Sequence, residues 1–501
     1  MVKPASNVAL FFALVTLLTG CPRSVSVPVT TDEQSPGMQS ETAATVSYSG
    51  FKRRIIVAYN DDSDNQSTIV YSPTNRTVLR GASLMGWSFS ENEGASWQRG
   101  GKLAPPPGWA VLWGDPALTS SGWLDGTVYL SNLALPDAKF PSSGYSGGVD
   151  NTVAGGACVF KSSDGGVSFQ FSQCISDTHP IPGIPSSVNG HFYDGGSLAS
   201  DFAGNLYAAY VDIDASQAVV YRSAGGTQPF VLLPPPFPTF YIASHPRIHL
   251  GPDGTLFVMA IAKQSFGPNP TYMLLASRFG NNTWSTPIFV APALAYPTVD
   301  MGSTLLGSGL KVRTGPQFAF DVGARSLTLD DSIRFLVTQA NSAGWLIIRG
   351  GSCDYALLSC GTNPGWTFGV ETVSSRDVER LDVFDPAIVA FRGPGLGLEP
   401  RWQGSYLSRY GNSTTTVSLL RAPLGYLSGQ PLSFPAVIAT DQPVCPDLRG
   451  YWGDYDAQVI AHFDLDNARF TRFMTDSGQG CTQRWHFNSS FQHVQAISYD
   501  N

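Results

Sequence analysis

The stretch SSDGGVSF, Ser162–Phe169, lies between two cysteines, Cys158 and Cys174. Its residues suit a tight turn, because Asp164 can accept hydrogen bonds from backbone N–H groups of its own turn and Gly166 permits a left-handed backbone. The aromatic residue that follows can fold back and bury, which contributes roughly 1.5–3 kcal/mol. The stretch therefore predicts a hairpin turn anchored by Phe169, with a disulfide between Cys158 and Cys174 at its base.

The same order of residue types recurs in SENEGASW, Ser90–Trp97: Ser, any residue, Asp or Asn, any residue, Gly, any residue, Ser, then Phe or Trp. A weaker third copy is SRFGNNTW, Ser277–Trp284. A turn that recurs at distant places indicates a repeated structural unit.

A second pattern repeats on a longer scale. A polar residue, often Asp followed by Pro or Gly, precedes a small apolar strand, a turn dipeptide and a strongly apolar strand. The dipeptides supply the positive φ that tight hairpins need, and they are Asp125-Gly126, Gly204-Asn205, Asp253-Gly254 and Asp466-Asn467. Such units begin at Gly114, Tyr193, Ser244, Gly315, Phe384 and Gly453, and an earlier one spans residues 53–97.

The composition agrees with an all-β chain. Of 501 residues, 52 are Gly and 36 are Pro, and only 14% are charged. Four-stranded sheets repeated around an axis form a β-propeller. We predict one propeller over residues 46–501 with seven blades, or six if the degenerate outer units do not count; a pair of β-sandwiches is the alternative. The net charge is −8, and nothing in the sequence indicates the basic face that nucleic-acid binding requires.

The eight-residue turns resemble the Asp-box, or bacterial neuraminidase repeat, of the sialidase-like propeller superfamily. In that family the turn is structural and joins the outer strands of a blade. The resemblance implies a catalytic cluster at the centre of the propeller: three arginines that clamp a carboxylate, a Tyr–Glu nucleophile and an Asp acid/base. Here the nearest text to the family's Arg-Ile-Pro stretch is Arg54-Ile55-Ile56, without the proline, and Arg247-Ile248 lies in a middle unit.

Acidic residues recur where inner strands begin, with a histidine at the matching place in one repeat. They are Asp115, Asp194, Asp385, Asp454 and His245. One interpretation is structural, each Asp capping backbone N–H groups of a neighbouring blade. The other is functional: the ring binds a glycan, supplies acid/base groups for a glycoside, or supplies some of the six to eight oxygens that structural Ca²⁺ takes. No cofactor is expected to be required, and the identity of any metal stays open.

The densest polar and aromatic cluster is RGYWGDYDAQ, residues 449–458, where Trp452 and Asp456 flank Asp454 and Tyr455. It combines stacking surfaces with carboxylates, as sugar sites do, or else it forms a closing inner strand whose aromatics are core. If the chain is a hydrolase, Tyr455 and Asp454 are the predicted catalytic residues and Arg247 the carboxylate clamp. His245 and His249 are four residues apart on a predicted strand, which would place both side chains on one face. The alternatives there are a metal-binding pair and two strand residues with ordinary hydrogen-bond partners.

The first residues indicate export. Lys3 precedes the apolar run Val8–Gly20, and the run ends in LTGC, which resembles a bacterial lipobox with Cys21 as the lipidated residue. Residues 1–20 are therefore predicted to be a lipoprotein signal peptide, and Ser/Thr/Pro-rich residues 21–45 a flexible tether. An ordinary secretory signal is the alternative. Pro22, rather than Asp, follows the cysteine, so the resemblance does not imply retention in the inner membrane.

The other six cysteines form an even set, as expected of an exported chain. Proximity in the sequence favours the pairs Cys158–Cys174, Cys353–Cys360 and Cys445–Cys481. These observations predict a monomeric, lipid-anchored protein of the outer membrane or cell surface that binds a glycan or protein. An exo-acting glycoside hydrolase of sialidase type is the alternative.

Overall fold

The fold is given by a computed structural model. It describes residues 25–29, 39–50, 52–61, 69–71, 76–78, 83–121, 125–136, 155–175, 193–213, 215–251, 253–263, 272–294, 304–306, 310–312, 317–323, 332–340, 346–354, 356–357, 359–368, 380–392, 400–410, 416–424, 436–443, 458–463, 468–476 and 493–500.

The described chain is almost entirely β-structure, arranged as seven blades: six are sheets of four strands, and the sheet of blade 4 has six because both its inner and its outer strand are split. In order from the innermost to the outermost strand, blade 1 is Gln39–Ser49, Lys52–Asp61, Met85–Ser90 and Gln98–Lys102; blade 2 is Trp109–Ser120, Val128–Pro136, Gly156–Ser162 and Gln170–Ile175; blade 3 is Tyr193–Ser200, Leu206–Asp212, Gln217–Ser223 and Val231–Leu232. Blade 5 is Phe318–Gly323, Ser332–Ala340, Leu346–Asp354 and Cys360–Phe368; blade 6 is Arg380–Arg392, Pro400–Tyr410, Thr416–Leu424 and Ala436–Pro443.

Blade 4 departs from this plan at both edges. Its inner strand is split into Tyr241–Ile242 and Arg247–Leu250, which both pair with Leu256–Lys263. Its third strand, Tyr272–Gly280, pairs with Thr283–Trp284 near the turn and with Ile288–Leu294 beyond it. The remaining described elements are the hairpins Ile69–Tyr71/Arg76–Val78 and Thr304–Leu306/Leu310–Val312, and a short 3-10 helix, Ala224–Gly226.

Blade 7 joins distant parts of the chain. Three of its strands are Gln458–Phe463, Ala468–Asp476 and His493–Asp500, and the fourth is Val25–Pro28. The segment predicted as a tether over residues 21–45 thus supplies this outer strand and the beginning of the inner strand of blade 1. An outer strand binds through backbone hydrogen bonds to an otherwise unpaired edge, so it needs no apolar run in its own sequence.

The seven blades close into a ring. Each inner strand contacts the inner strand of the next blade, including that of blade 7 against that of blade 1. The predicted β-propeller is therefore confirmed, with seven blades rather than six, and the pair of β-sandwiches is wrong. Apolar side chains fill the space between neighbouring blades: Ile56 and Trp87 of blade 1, for example, share a cluster with Leu130 and Phe160 of blade 2.

The turn Ser162–Phe169 has the predicted geometry. The Asp164 carboxylate accepts hydrogen bonds from the backbone N–H groups of Val167 and Ser168, both at 3.0 Å. The Ser162 hydroxyl donates to Asp164 Oδ1 at 2.7 Å and accepts from the Gly166 N–H at 2.8 Å. Gly166 has a φ of +87°, so the glycine is needed there.

The turn of blade 1 repeats these contacts with Asn92 in place of the aspartate. Asn92 Oδ1 accepts from the Ser96 N–H at 2.9 Å, and the Ser90 hydroxyl accepts from the Gly94 N–H at 2.9 Å. The hydrogen-bond plan therefore tolerates either Asp or Asn, provided that an oxygen occupies the same place.

The final aromatic residue of each turn contacts the preceding blade. Phe169 packs edge-on against Trp87 of blade 1, with ring centroids 5.4 Å apart. Trp97 packs in the same way against Phe473 of blade 7, also at 5.4 Å. The indole of Trp284, in blade 4, donates a hydrogen bond to the Pro234 carbonyl beside blade 3 at 2.6 Å. These residues help to fix the angle between successive blades.

Two of the three predicted disulfides are confirmed, Cys158–Cys174 and Cys353–Cys360. Each joins register partners on the third and fourth strands of one blade. Cys445, Cys481 and the predicted lipidation residue Cys21 lie outside the described residues. Within the described part of the chain, no helix has the length and apolarity needed to cross a membrane.

Candidate functional site

The propeller has two distinct faces. The hairpins between first and second strands lie on one face with the eight-residue turns, as shown by the Gly126 N–H donating to the Tyr48 carbonyl at 2.8 Å and the Gly165 N–H donating to the Gly126 carbonyl at 2.9 Å. We call this the turn face. The connections between second and third strands lie at the other end of the strands, on what we call the cavity face.

A cavity of about 450 Å³ occupies the hub, where the inner strands meet. All seven inner strands contribute to its lining, from Thr42 of blade 1 to Gln458 of blade 7. Ile213 and Ser216, from the connection between the second and third strands of blade 3, also line it. The hub cavity therefore extends to the cavity face, on the opposite side of the propeller from the eight-residue turns.

A row of basic side chains lines one wall of the hub cavity. His245, Arg247 and His249 occupy alternate positions at the inner edge of blade 4, and all three line the cavity. Arg247 and His249 lie on the same side of the strand Arg247–Leu250, because successive side chains of a strand point to opposite faces, and His245 lies just before this strand rather than on it. The row combines a permanent cation with two groups that can donate or accept hydrogen bonds.

Each of the two histidines contacts a carboxylate from a neighbouring blade. Asp194 Oδ2 of blade 3 lies 3.4 Å from His245 Nε2, and Asp321 Oδ1 of blade 5 lies 3.2 Å from His249 Nδ1. Asp321 also accepts a hydrogen bond from the Ala390 N–H of blade 6 at 2.7 Å. The two imidazoles are thus oriented by their neighbours, as preorganised binding groups require.

Gly195 makes the close approach of His245 possible. Its φ is +58°, and a Cβ there would lie only 2.2 Å from Cγ of the imidazole. Any side chain at this position would therefore displace the histidine from its contact with Asp194.

Asp115 has a structural environment. Its carboxylate accepts a hydrogen bond from the Gly195 N–H of blade 3 at 3.1 Å, and its own N–H donates to Asn60 Oδ1 of blade 1 at 2.9 Å. This is the capping between blades that the sequence offered as one interpretation. The neighbouring Pro116, rather than Asp115, lines the hub cavity.

The described lining contains only part of the cluster that the sialidase resemblance implies. Arg247 is the one arginine among the described residues that line the cavity, and no tyrosine or glutamate is among them. Arg54 instead bonds to the eight-residue turns: it pairs with Glu91 at 2.6 Å and donates to the Asp164 carbonyl at 2.5 Å. Tyr210 is fully buried, and that burial raises the pKa of its hydroxyl above the ordinary range.

The structure does not describe the side chains of several predicted site residues. Trp452, Asp454, Tyr455 and Asp456 lie outside the described residues, so their catalytic and binding roles stay predictions. Asp385 lies on the inner strand of blade 6, of which only the backbone is described at that position.

Sequence reasoning missed Asp321 and Gln317. Asp321 follows Phe320 on the inner strand of blade 5, Phe318–Gly323, and a single acid in an otherwise apolar strand was the available signal. Among the described residues, no three His, Cys, Asp or Glu side chains cluster in a way that would hold a metal ion. The suggestion of a structural Ca²⁺ stays a prediction, since it depends partly on carboxylates that are not described.

No protein-family model and no curated protein matches this chain. Among solved structures, an α-L-arabinanase from Penicillium chrysogenum aligns with 11% identity and a TM-score of 0.44, over 95% of this chain and 98% of the other. The sialidase NanB from Streptococcus pneumoniae aligns with 11% identity and a TM-score of 0.43, over 82% and 70%. A leech intramolecular trans-sialidase aligns with 12% identity and a TM-score of 0.44, over 82% and 70%. At these values the similarity assigns no family.

Proposed function

We propose that this protein is a lipoprotein of the cell envelope, anchored through Cys21, whose propeller binds a glycan or protein ligand in the hub cavity. One observation carries the proposal: the row His245–Arg247–His249 lines a cavity of about 450 Å³, and carboxylates of neighbouring blades hold its two imidazoles. Small-ligand sites are concave and combine apolar walls with a few placed polar groups.

The remaining lining fits this proposal. Phe318 and Phe320 supply apolar surface and Gln317 an amide group, whereas the amide of Gln458 bonds to the Ser405 hydroxyl and to the Gln403 carbonyl of blade 6. Amide and imidazole groups can bind sugar hydroxyls, and a guanidinium adds a strong donor for an anionic group. The ligand that this set favours is a polar molecule carrying hydroxyl groups and at least one acidic group.

The alternative function is exo-acting glycoside hydrolysis of the sialidase type. It is favoured by the position of Arg247 in the same cavity as the Asp194 carboxylate. A tyrosine nucleophile with its glutamate partner would have to come from outside the described residues, as Tyr455 was predicted to do.

The proposal is tested by probing the full-length protein, in detergent, on an array of neutral and acidic glycans and comparing it with Arg247→Gln. The matched control is Arg278→Gln, which removes an arginine from the third strand of blade 4, outside the cavity. We expect Arg247→Gln to lose binding and Arg278→Gln to retain it. Equal binding by all three proteins would refute the hub as the binding site, and no binding by any of them would refute a glycan as the ligand.

An aryl-sialoside assay separates the two functions. Glycan binding without release of the aryl group from the aryl sialoside supports recognition. Turnover that disappears in Tyr455→Phe supports the hydrolase.

A further inference from the structure

The position of Val25 constrains how a lipid anchor would hold the propeller. Val25 opens the outer strand of blade 7 and pairs with Ser498, whereas Pro28 pairs with Gln495. In blades 1 and 2 the third strand ends, and the fourth begins, at an eight-residue turn on the turn face. Val25 begins the fourth strand of blade 7, so it lies at the turn face.

Only a short piece of chain separates this strand from the predicted anchor. Cys21 precedes Val25 by four residues, and four residues span at most about 14 Å when fully extended. The third strand of blade 7, His493–Asp500, has 8 residues and therefore extends about 26 Å along the blade. The linker is too short to carry the anchor from the turn face to the cavity face.

From this geometry we infer that the turn face lies against the bilayer and that the hub cavity opens away from the bilayer. The inference rests on the proposed lipidation of Cys21. It identifies the interaction surface as the turn face and the partner as a lipid surface. It also deepens the proposed function, because the cavity then takes ligands from the aqueous side and not from the membrane that holds the protein.

The turn face carries side chains compatible with this position. Phe202, in the first hairpin of blade 3, is 70% exposed, and Tyr48, in that of blade 1, is 42% exposed. Aromatic side chains are favourable at the boundary between headgroups and water. The charged residues there have both signs, since Lys52 and Glu91 are both exposed. The anchor rather than net charge therefore sets the orientation, which should not depend on salt.

The test compares two exposed alanines of blade 1, the neighbour of blade 7. Ala95 lies in the eight-residue turn and Ala104 follows the outer strand Gln98–Lys102, so about 17 Å of strand separates their levels. Each is replaced by cysteine, labelled with a fluorophore in the full-length lipidated protein, and placed on phosphatidylcholine vesicles that carry nitroxide-labelled headgroups.

We expect several-fold stronger quenching of the label at Ala95→Cys than at Ala104→Cys, at low and at high salt alike. Equal quenching, or stronger quenching at residue 104, would overturn the inference. A linker of about 20 Gly/Ser residues inserted between Cys21 and Val25 has an end-to-end distance of about 25 Å and should abolish the difference. If the difference persisted, linker length would not be its cause.

Failure of the anchor itself gives a different result. Mass spectrometry of the purified protein would then show no acyl mass on Cys21, and Cys21→Ser would bind vesicles as well as the parent protein does. That outcome refutes the proposed lipidation, whereas a lipidated protein with the wrong quenching pattern refutes only the orientation.

Discussion

Replacement of Asp164 by alanine should open the turn Ser162–Phe169 without disturbing the hub. The substitution removes the acceptor for the backbone N–H groups of Val167 and Ser168. It also removes the acceptor for the hydroxyls of Ser162 and Ser168, which bond to the carboxylate at 2.7 Å and 2.6 Å.

The expected cost follows from the two backbone groups. A hydrogen bond in a partly exposed position is worth about 1 kcal/mol net, and the two hydroxyls can bond to water instead. The total of about 2 kcal/mol corresponds to about 30-fold more frequent local opening. Asp164→Asn keeps an acceptor oxygen, as Asn92 does in blade 1, and should change opening by no more than about threefold, or about 0.7 kcal/mol.

Hydrogen exchange measures this opening directly, in a peptide that covers residues 160–172 of the full-length protein with its disulfides intact. The matched peptide from blade 1, covering residues 88–100, serves as the internal control and should not change. Two results would refute the reasoning: Asp164→Ala exchanging at the rate of the parent protein, or Asp164→Asn exchanging as fast as Asp164→Ala.

The remaining predictions concern the same turn and the hub. Partial burial raises the pKa of Asp164, but hydrogen bonds from Ser168 and its neighbours outweigh the burial and hold the pKa below the ordinary value of 3.8. The stabilisation that the carboxylate gives should therefore be complete above pH 3.8 and fade as the pH falls below it. The exchange rates of the parent protein and of Asp164→Asn should accordingly converge in acid. Phe169→Ala, which removes a half-buried ring, should lower the free energy of unfolding by about 2 kcal/mol in urea; no loss would show that the ring does not hold blades 1 and 2 together. Gly195→Ala should lower the free energy of unfolding by about 2–4 kcal/mol and weaken glycan binding, because it adds left-handed strain and overpacks the imidazole of His245. The control Gly204→Ala, with a φ of +80° and no atom closer than 3.8 Å to the added Cβ, should cost only about 1 kcal/mol. Equal costs for the two variants would contradict the role assigned to the close approach.

Local features of the sequence predicted the fold. The turn Ser162–Phe169 makes its hydrogen bonds within eight residues, so its sequence contains nearly all the information that its geometry needs. The blade count also followed from the sequence, because turn dipeptides such as Asp125-Gly126 mark successive hairpins. The Cys158–Cys174 disulfide was predictable since both residues flank one hairpin.

Features that depend on ring closure were harder to predict. The strand Val25–Pro28 pairs with residues near position 497 through its backbone, and a four-residue edge strand has no apolar pattern to reveal it. The acids at the starts of inner strands look alike in sequence, yet Asp115 caps a backbone N–H whereas Asp194 contacts His245. Which contact forms depends on what the next blade presents, and this is fixed only when the blades pack.

The central claim is that the ligand binds in the hub cavity, and a hydrogen-exchange footprint tests it most directly. The full-length protein is measured with and without the glycan that it selects on the array. The account predicts slower exchange in two inner strands, Tyr193–Ser200, which carries Asp194, and Arg247–Leu250, which carries Arg247 and His249. The outer strand Gln98–Lys102 should not change. Protection confined to outer strands or to the turn face, with the two inner strands unchanged, would contradict it.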